Sequence, residues 1–246
     1  NPDKLTMVVI ALATSIASTG LPLITEAVTL KDRVGLAKLT SGNLQLFSFF
    51  MFPATFGVML LAYPLNTLFY TPDSLGSNVL IQASFVGLFL GVYMLGSNML
   101  QGMFENRAAI SYLVVGFLVK LLLQYPAIRL FEVYGPLLAT MLGFAVSCTL
   151  ILKRIHEVAR FKPSFVWRRT LLIFILTLIM LFASWITKII FGTFLNEDSK
   201  FQSLLLILAV AGIGALVYGY LALKIRLAER LLGPGIARLR HKLKIK

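Results

Sequence analysis

Residues Gly116 to Phe131 read GFLVKLLLQYPAIRLF, and the run extends back through AAISYLVV to Ala108. A helix needs about 20 mostly apolar residues to cross a hydrocarbon core about 30 Å thick. This run meets that length. Strands would have to alternate and close into a barrel, and the alternation is absent. Lys120 stands 12 residues in from Ala108, or about 18 Å along a helix at ~1.5 Å per residue, which is near mid-membrane. A charge there costs roughly 2.5–3.5 kcal/mol on insertion scales, and such residues face a protein interior or a water-filled path.

Working outward, six more apolar runs accompany it: Leu5–Val28, Asn43–Phe69, Val79–Phe104, Gly135–Leu152, Thr170–Phe191 and Phe201–Leu223. The connections between these seven spans are short and polar. Eighteen lysines and arginines fall in the connections after spans one, three, five and seven, against four on the other side. The positive-inside rule then puts the carboxy terminus in the cytoplasm and the amino end of the chain outside. The expected class is all-α integral membrane, multi-pass in the plasma membrane, with seven transmembrane helices.

That charge distribution also accounts for the net charge of +13. A basic surface is otherwise a nucleic-acid footprint; here it is a topology signal, and no nucleic-acid partner is expected. With 58% hydrophobic and 13% charged residues, the chain falls far below the ~25% charged residues of a soluble domain. Cys148, the sole cysteine, excludes disulfide frameworks and thiolate metal sites. The opening NPDKLTMVVIALATSIASTGLP lacks an initiator methionine, a basic n-region and a cleavage site. The expectation is a piece of a longer chain, entered partway.

Enzyme signatures are missing. There is no HExxH and no GxxxxGK[ST] loop. His156 and His241 stand alone in basic segments, Glu197 and Asp198 share an outer turn, and Asp73 has no acidic neighbour with which to hold a metal. No cofactor, metal or catalytic residue is expected.

Polar residues inside the apolar runs are more informative. Tyr112, Gly116, Lys120 and Gln124 recur every four residues and form one stripe. Asn98, Gln101 and Glu105 share a face of span three, Thr14, Ser18 and Thr25 a face of span one, and span two offers Asn43, Gln45, Ser48 and Thr55. Together these suggest a shared hydrated cavity; interhelical hydrogen bonding is the alternative for the hydroxyls. Glu26 and Glu105 are placed at the cytoplasmic boundary. Pro22, Pro53 and Pro126 interrupt helices, each removing a backbone hydrogen bond. Small residues at four-residue spacing, Gly87 and Gly91, then Ala211, Ala215 and Gly219, allow close helix approach. The end, GPGIARLRHKLKIK, places Ile236, Leu239 and Leu243 opposite basic residues, a pattern suited to an anionic inner leaflet.

Four pieces then acquire a common meaning. ATSIASTGLPLITEA with its basic loop and FPATFGVMLLAYPLNTLFY, LQGMFENRAAI, and VGFLVKLLLQYPAIRLFEVYGPLLATMLGF resemble, in that order, the polysaccharide-exporter branch of the multidrug/oligosaccharidyl-lipid/polysaccharide flippase superfamily. They are similar to its YtgP and stage V sporulation protein B type, with MurJ-type lipid II flippases as more distant relatives. The resemblance runs from about Leu5 to Leu152. Pro136 departs from the small residue common at that turn.

The resemblance implies fourteen helices in two lobes and an extra pair around a cavity of alternating exposure, this chain being the carboxy-terminal half. Residues 1–152 would be five helices of the transport lobe, 153–169 a basic cytoplasmic loop, 170–224 the extra helix pair and 225–246 the basic tail. The implied function is flipping a lipid-linked oligosaccharide or peptidoglycan precursor from the inner to the outer leaflet. Its partners would be the lipid-linked sugar pyrophosphate, the bilayer and the amino-terminal half. Tyr112, Lys120, Gln124, Asn98, Gln101, Ser18, Thr14 and Gln45 are the expected substrate-binding residues. A cation-coupled multidrug exporter, a membrane-embedded glycosyl- or phosphotransferase and a seven-helix receptor or scaffold are the alternatives.

Overall fold

The structure, a computed structural model, describes residues 3–70, 74–195, 199–225 and 227–232. Its elements are α1 (Asp3–Thr29), α2 (Arg33–Leu60), α3 (Ala62–Phe69), α4 (Ser74–Gly102) and α5 (Asn106–Phe131). After a 3-10 turn at Glu132–Tyr134 come α6 (Gly135–Ala159), α7 (Pro163–Gly192), α8 (Lys200–Lys224) and α9 (Leu227–Leu232). No strand occurs among the described residues. Six helices, α2 and α4 to α8, are long and apolar enough to cross a membrane, and α1 is a 27-residue helix over the expected first span. The protein is an all-α integral membrane chain. Asp73, Glu197, Asp198, His241 and the basic tail from Gly233 lie outside the described residues.

Two expected boundaries are corrected. The second span, expected as Asn43–Phe69, is two helices that part at Leu61, and α2 begins at Arg33. The start is earlier because Asp32 Oδ1 accepts the Gly35 N–H at 2.8 Å, a side-chain cap on one of the amides a helix start leaves unpaired. The segment 153–169, expected as a loop, is helical apart from Arg160–Lys162. Helix α7 opens on Pro163, where a missing N–H costs nothing.

Helix ends at Lys31, Phe104, Glu132 and Arg160 have positive φ of 48–62° without glycine. L-residues rarely adopt that conformation, and usually glycine supplies such a cap.

The chain divides into two compact units, residues 1–47 with 79–167, and residues 48–78 with 168–246. Between helices in lipid there is no hydrophobic drive, so close packing of small residues holds them. The first unit shows this at four crossings among the described residues. Gly20 of α1 lies against Asn43 of α2, Gly102 of α4 against Ile24 of α1, Gly96 of α4 against Ile151 of α6, and Gly116 of α5 against Gly143 and Ser147 of α6. Ile24, Leu95, Met99, Leu100, Ile151 and Ile155 fill its interior. In the second unit Phe49, Ile173, Leu176, Met180, Tyr218 and Ala222 form the core.

Candidate functional site

Helix α5 places Lys120 about 21 Å from its start, counting ~1.5 Å per residue along its 26 residues. The α5–α6 crossing at Gly116 and Gly143 determines what surrounds it. The Lys120 stem packs on Gly143, where an added Cβ would meet Lys120 Cβ at 3.0 Å. Ser147 donates its hydroxyl to the Tyr112 carbonyl at 2.8 Å and ties the helices one turn away. The result is a crevice of about 100 Å³ lined by Gly116, Phe117, Lys120, Thr140, Gly143 and Ser147, together with Leu113 and Phe144.

Lys120 is half-buried and has no hydrogen-bonding or ionic partner among the described residues. One turn on, the Gln124 Oε1 is buried without a hydrogen-bond partner. A buried amide oxygen left so is costly, about 1–3 kcal/mol, and calls for a donor. Cation and acceptor therefore stand on one stripe, both unsatisfied.

The other expected site residues are placed differently. Thr14 and Ser18 return their hydroxyls to their own helix, to the Ala11 carbonyl at 2.9 Å and the Ser15 carbonyl at 3.0 Å. Gln45 is buried, at 1% exposure. Asn98 is half-buried, Gln101 is exposed with its amide 3.4 Å from Ser97 Oγ, and Tyr112 is half-buried. Of the eight, only Lys120 lines the crevice, and none of its walls comes from α1, α2 or α4. Its other polar walls, Thr140 and Ser147, were not anticipated. Their signal was present in the spacing of Thr140, Gly143 and Ser147 along one face of α6.

The two glutamates do not answer Lys120. Glu26 is exposed. Glu105 Oε1 is held by Arg154 Nη2 at 2.8 Å, and Arg154 also reaches Glu157 at 3.2 Å. This cluster ties the α4–α5 turn to the end of α6.

The second unit holds a feature the sequence did not announce, an open-sided groove of about 670 Å³. Its walls are almost wholly apolar: Phe49, Pro53, Gly57 and Leu61 on one side, Met180 on α7, and Ala211, Ala215 and Gly219 on α8. The small residues of α8 thus form a groove floor instead of a helix–helix seam, which corrects the packing role expected for them. The packing glycine is Gly214, where an added Cβ would fall 2.5 Å from Ser184 Oγ.

No protein-family profile matches the chain. Over 244 residues, 96% of its length, the chain is 31% identical to a protein of Bacillus subtilis (strain 168) named Lipid II flippase MurJ. It spans about 45% of the length of that relative.

Proposed function

We propose that this chain is the carboxy-terminal part of a flippase that carries a lipid-linked sugar, a peptidoglycan precursor, from the inner to the outer leaflet of the plasma membrane. The observation that carries the reading is the 31% identity, over nearly the whole chain, to a protein named for flipping lipid II. Such a substrate sets two separate problems. Its sugar-pyrophosphate head is charged and must pass through a medium of low dielectric, while its polyprenyl tail is apolar throughout. The chain contains a feature suited to each.

Lys120 supplies an unpaired ammonium half-way along a membrane helix. A cation in low dielectric attracts a pyrophosphate far more strongly than it would in water. Thr140 and Ser147 add polar walls beside the ammonium. No step of this process breaks a covalent bond, so the reading assigns no catalytic residue. The apolar groove of the second unit suits the tail. Its lining is almost wholly apolar, and its open side lets the chain enter laterally from lipid.

In this reading alternating access is a motion of this part against an amino-terminal half. The amino end of the chain faces outside and its carboxy terminus the cytoplasm, next to an anionic inner leaflet. The test is reconstitution of the intact gene product in vesicles loaded with a lipid-linked sugar pyrophosphate, reading its exposure on the far leaflet. Translocation above that of protein-free vesicles is expected. Movement of a cationic drug with no movement of the lipid would replace this reading with that of a multidrug exporter.

A further inference from the structure

A proline inside a helix removes the N–H that would have bonded the carbonyl four residues earlier. Helix α2 carries one, Pro53, which deprives the Phe49 carbonyl of its helical donor. The Leu60 carbonyl lacks one for a different reason: it is the last residue of α2, where the helix ends. In a membrane such carbonyls must find other partners.

Both are answered from the helix pair α7–α8. The Tyr218 hydroxyl of α8 donates to the Phe49 carbonyl at 2.8 Å, in the buried core. The Lys188 ammonium of α7 donates to the Leu60 carbonyl at 3.4 Å. Leu60 is the last residue of α2, where the negative end of the helix dipole favours a cation. Phe49 and Tyr218 pack ring to ring, with centroids 5.2 Å apart. Along this one segment, each of the two unpaired carbonyls takes a side-chain donor from a different helix.

The same residues bound the apolar groove. Phe49, Pro53, Leu60, Leu61 and Leu65 line it from the bent segment, and Tyr218 from α8. We infer that Tyr218 and Lys188 are positioning residues: they hold the α2–α3 bend at these two carbonyls and so determine the groove's shape. The lipid consequence rests on the tail-groove reading above; the supply of donors to these carbonyls does not.

The two are tested separately in the intact gene product, purified in detergent. Tyr218→Phe keeps the ring and removes the donor. It should lower the thermal midpoint, by less than the ~2–4 °C that one lost interaction costs a chain of about 150–250 residues, because the intact product is longer. Pro53→Ala restores an N–H that bonds Phe49 within α2, so in that background Tyr218→Phe should cost little. Lys188→Met, which removes the donor to the Leu60 carbonyl, should also lower the midpoint, with no rescue by Pro53→Ala. Additive losses for Tyr218→Phe and Pro53→Ala would overturn the inference, since independent sites add. Binding of undecaprenyl phosphate is read on the same variants, with about a tenfold weakening expected for Tyr218→Phe and recovery with Pro53→Ala. Rescue of the midpoint with unchanged lipid affinity would overturn the groove-shaping role. Absence of saturable binding by the unaltered protein would overturn the tail-groove reading, while the rescue would still decide the positioning of the bend.

Discussion

Gly116 and Gly143 meet backbone to backbone: a Cβ on Gly116 would lie 2.5 Å from the Gly143 carbonyl oxygen, and one on Gly143 would lie 2.6 Å from that of Gly116. Neither contact can be relieved by turning a side chain. The crossing also fixes the direction of Lys120, whose Cβ rests on Gly143. Gly143→Ala should therefore push α5 away and cost about 1–3 kcal/mol, as overpacking does. Gly212, with open space around its Cβ position, is the control. Gly212→Ala should leave the thermal midpoint unchanged or raised. Equal midpoints for both variants would contradict the close crossing.

Lys120→Met keeps the bulk and removes the charge. If the ammonium binds the pyrophosphate, translocation should fall about 10–100-fold, the worth of a charged hydrogen bond of about 1.5–3 kcal/mol. The thermal midpoint should stay close to that of the unaltered protein, because no partner of Lys120 is left unpaired. Unchanged translocation at normal expression would remove Lys120 from the substrate path.

The Arg154–Glu105 pair offers a contrasting case. Its side chains are 34% and 31% exposed, so solvent screens much of the attraction. A double-mutant cycle on Arg154→Gln and Glu105→Gln should give a weak coupling that falls as salt is added. A strong coupling insensitive to salt would place the cluster away from water.

Orientation is tested by single cysteines in a Cys148→Ala background, since Cys148 is buried with its thiol 3.1 Å from the Phe89 carbonyl. Ser74, the first residue of α4, and Lys162, in the connection between α6 and α7, are both exposed. In intact cells a membrane-impermeant maleimide should label Ser74→Cys alone, with Lys162→Cys labelled only after the membrane is opened. Labelling of both from outside would contradict the proposed topology.

The sequence by itself determined the membrane class, the helical content, the approximate spans and the place of Lys120 inside an apolar run. Each follows from one-dimensional quantities: the length of an apolar run against a bilayer's thickness, and a charge within it. Helix ends were less legible. Four of them cap on Lys31, Phe104, Glu132 and Arg160, residues with no turn preference to read, and α2 starts on an Asp32 cap ahead of a polar stretch. The immediate surroundings of Lys120 were decided only in three dimensions. Periodicity shows that Lys120 shares a stripe with Gly116, but not that this stripe meets Thr140, Gly143 and Ser147 of α6. The same limit applies to Tyr218 and Phe49, 169 residues apart. Proline announces that a carbonyl will lose its amide, and the low dielectric of the membrane requires a replacement. Which side chain provides it depends on how the helices pack, and packing joins residues that no local pattern connects.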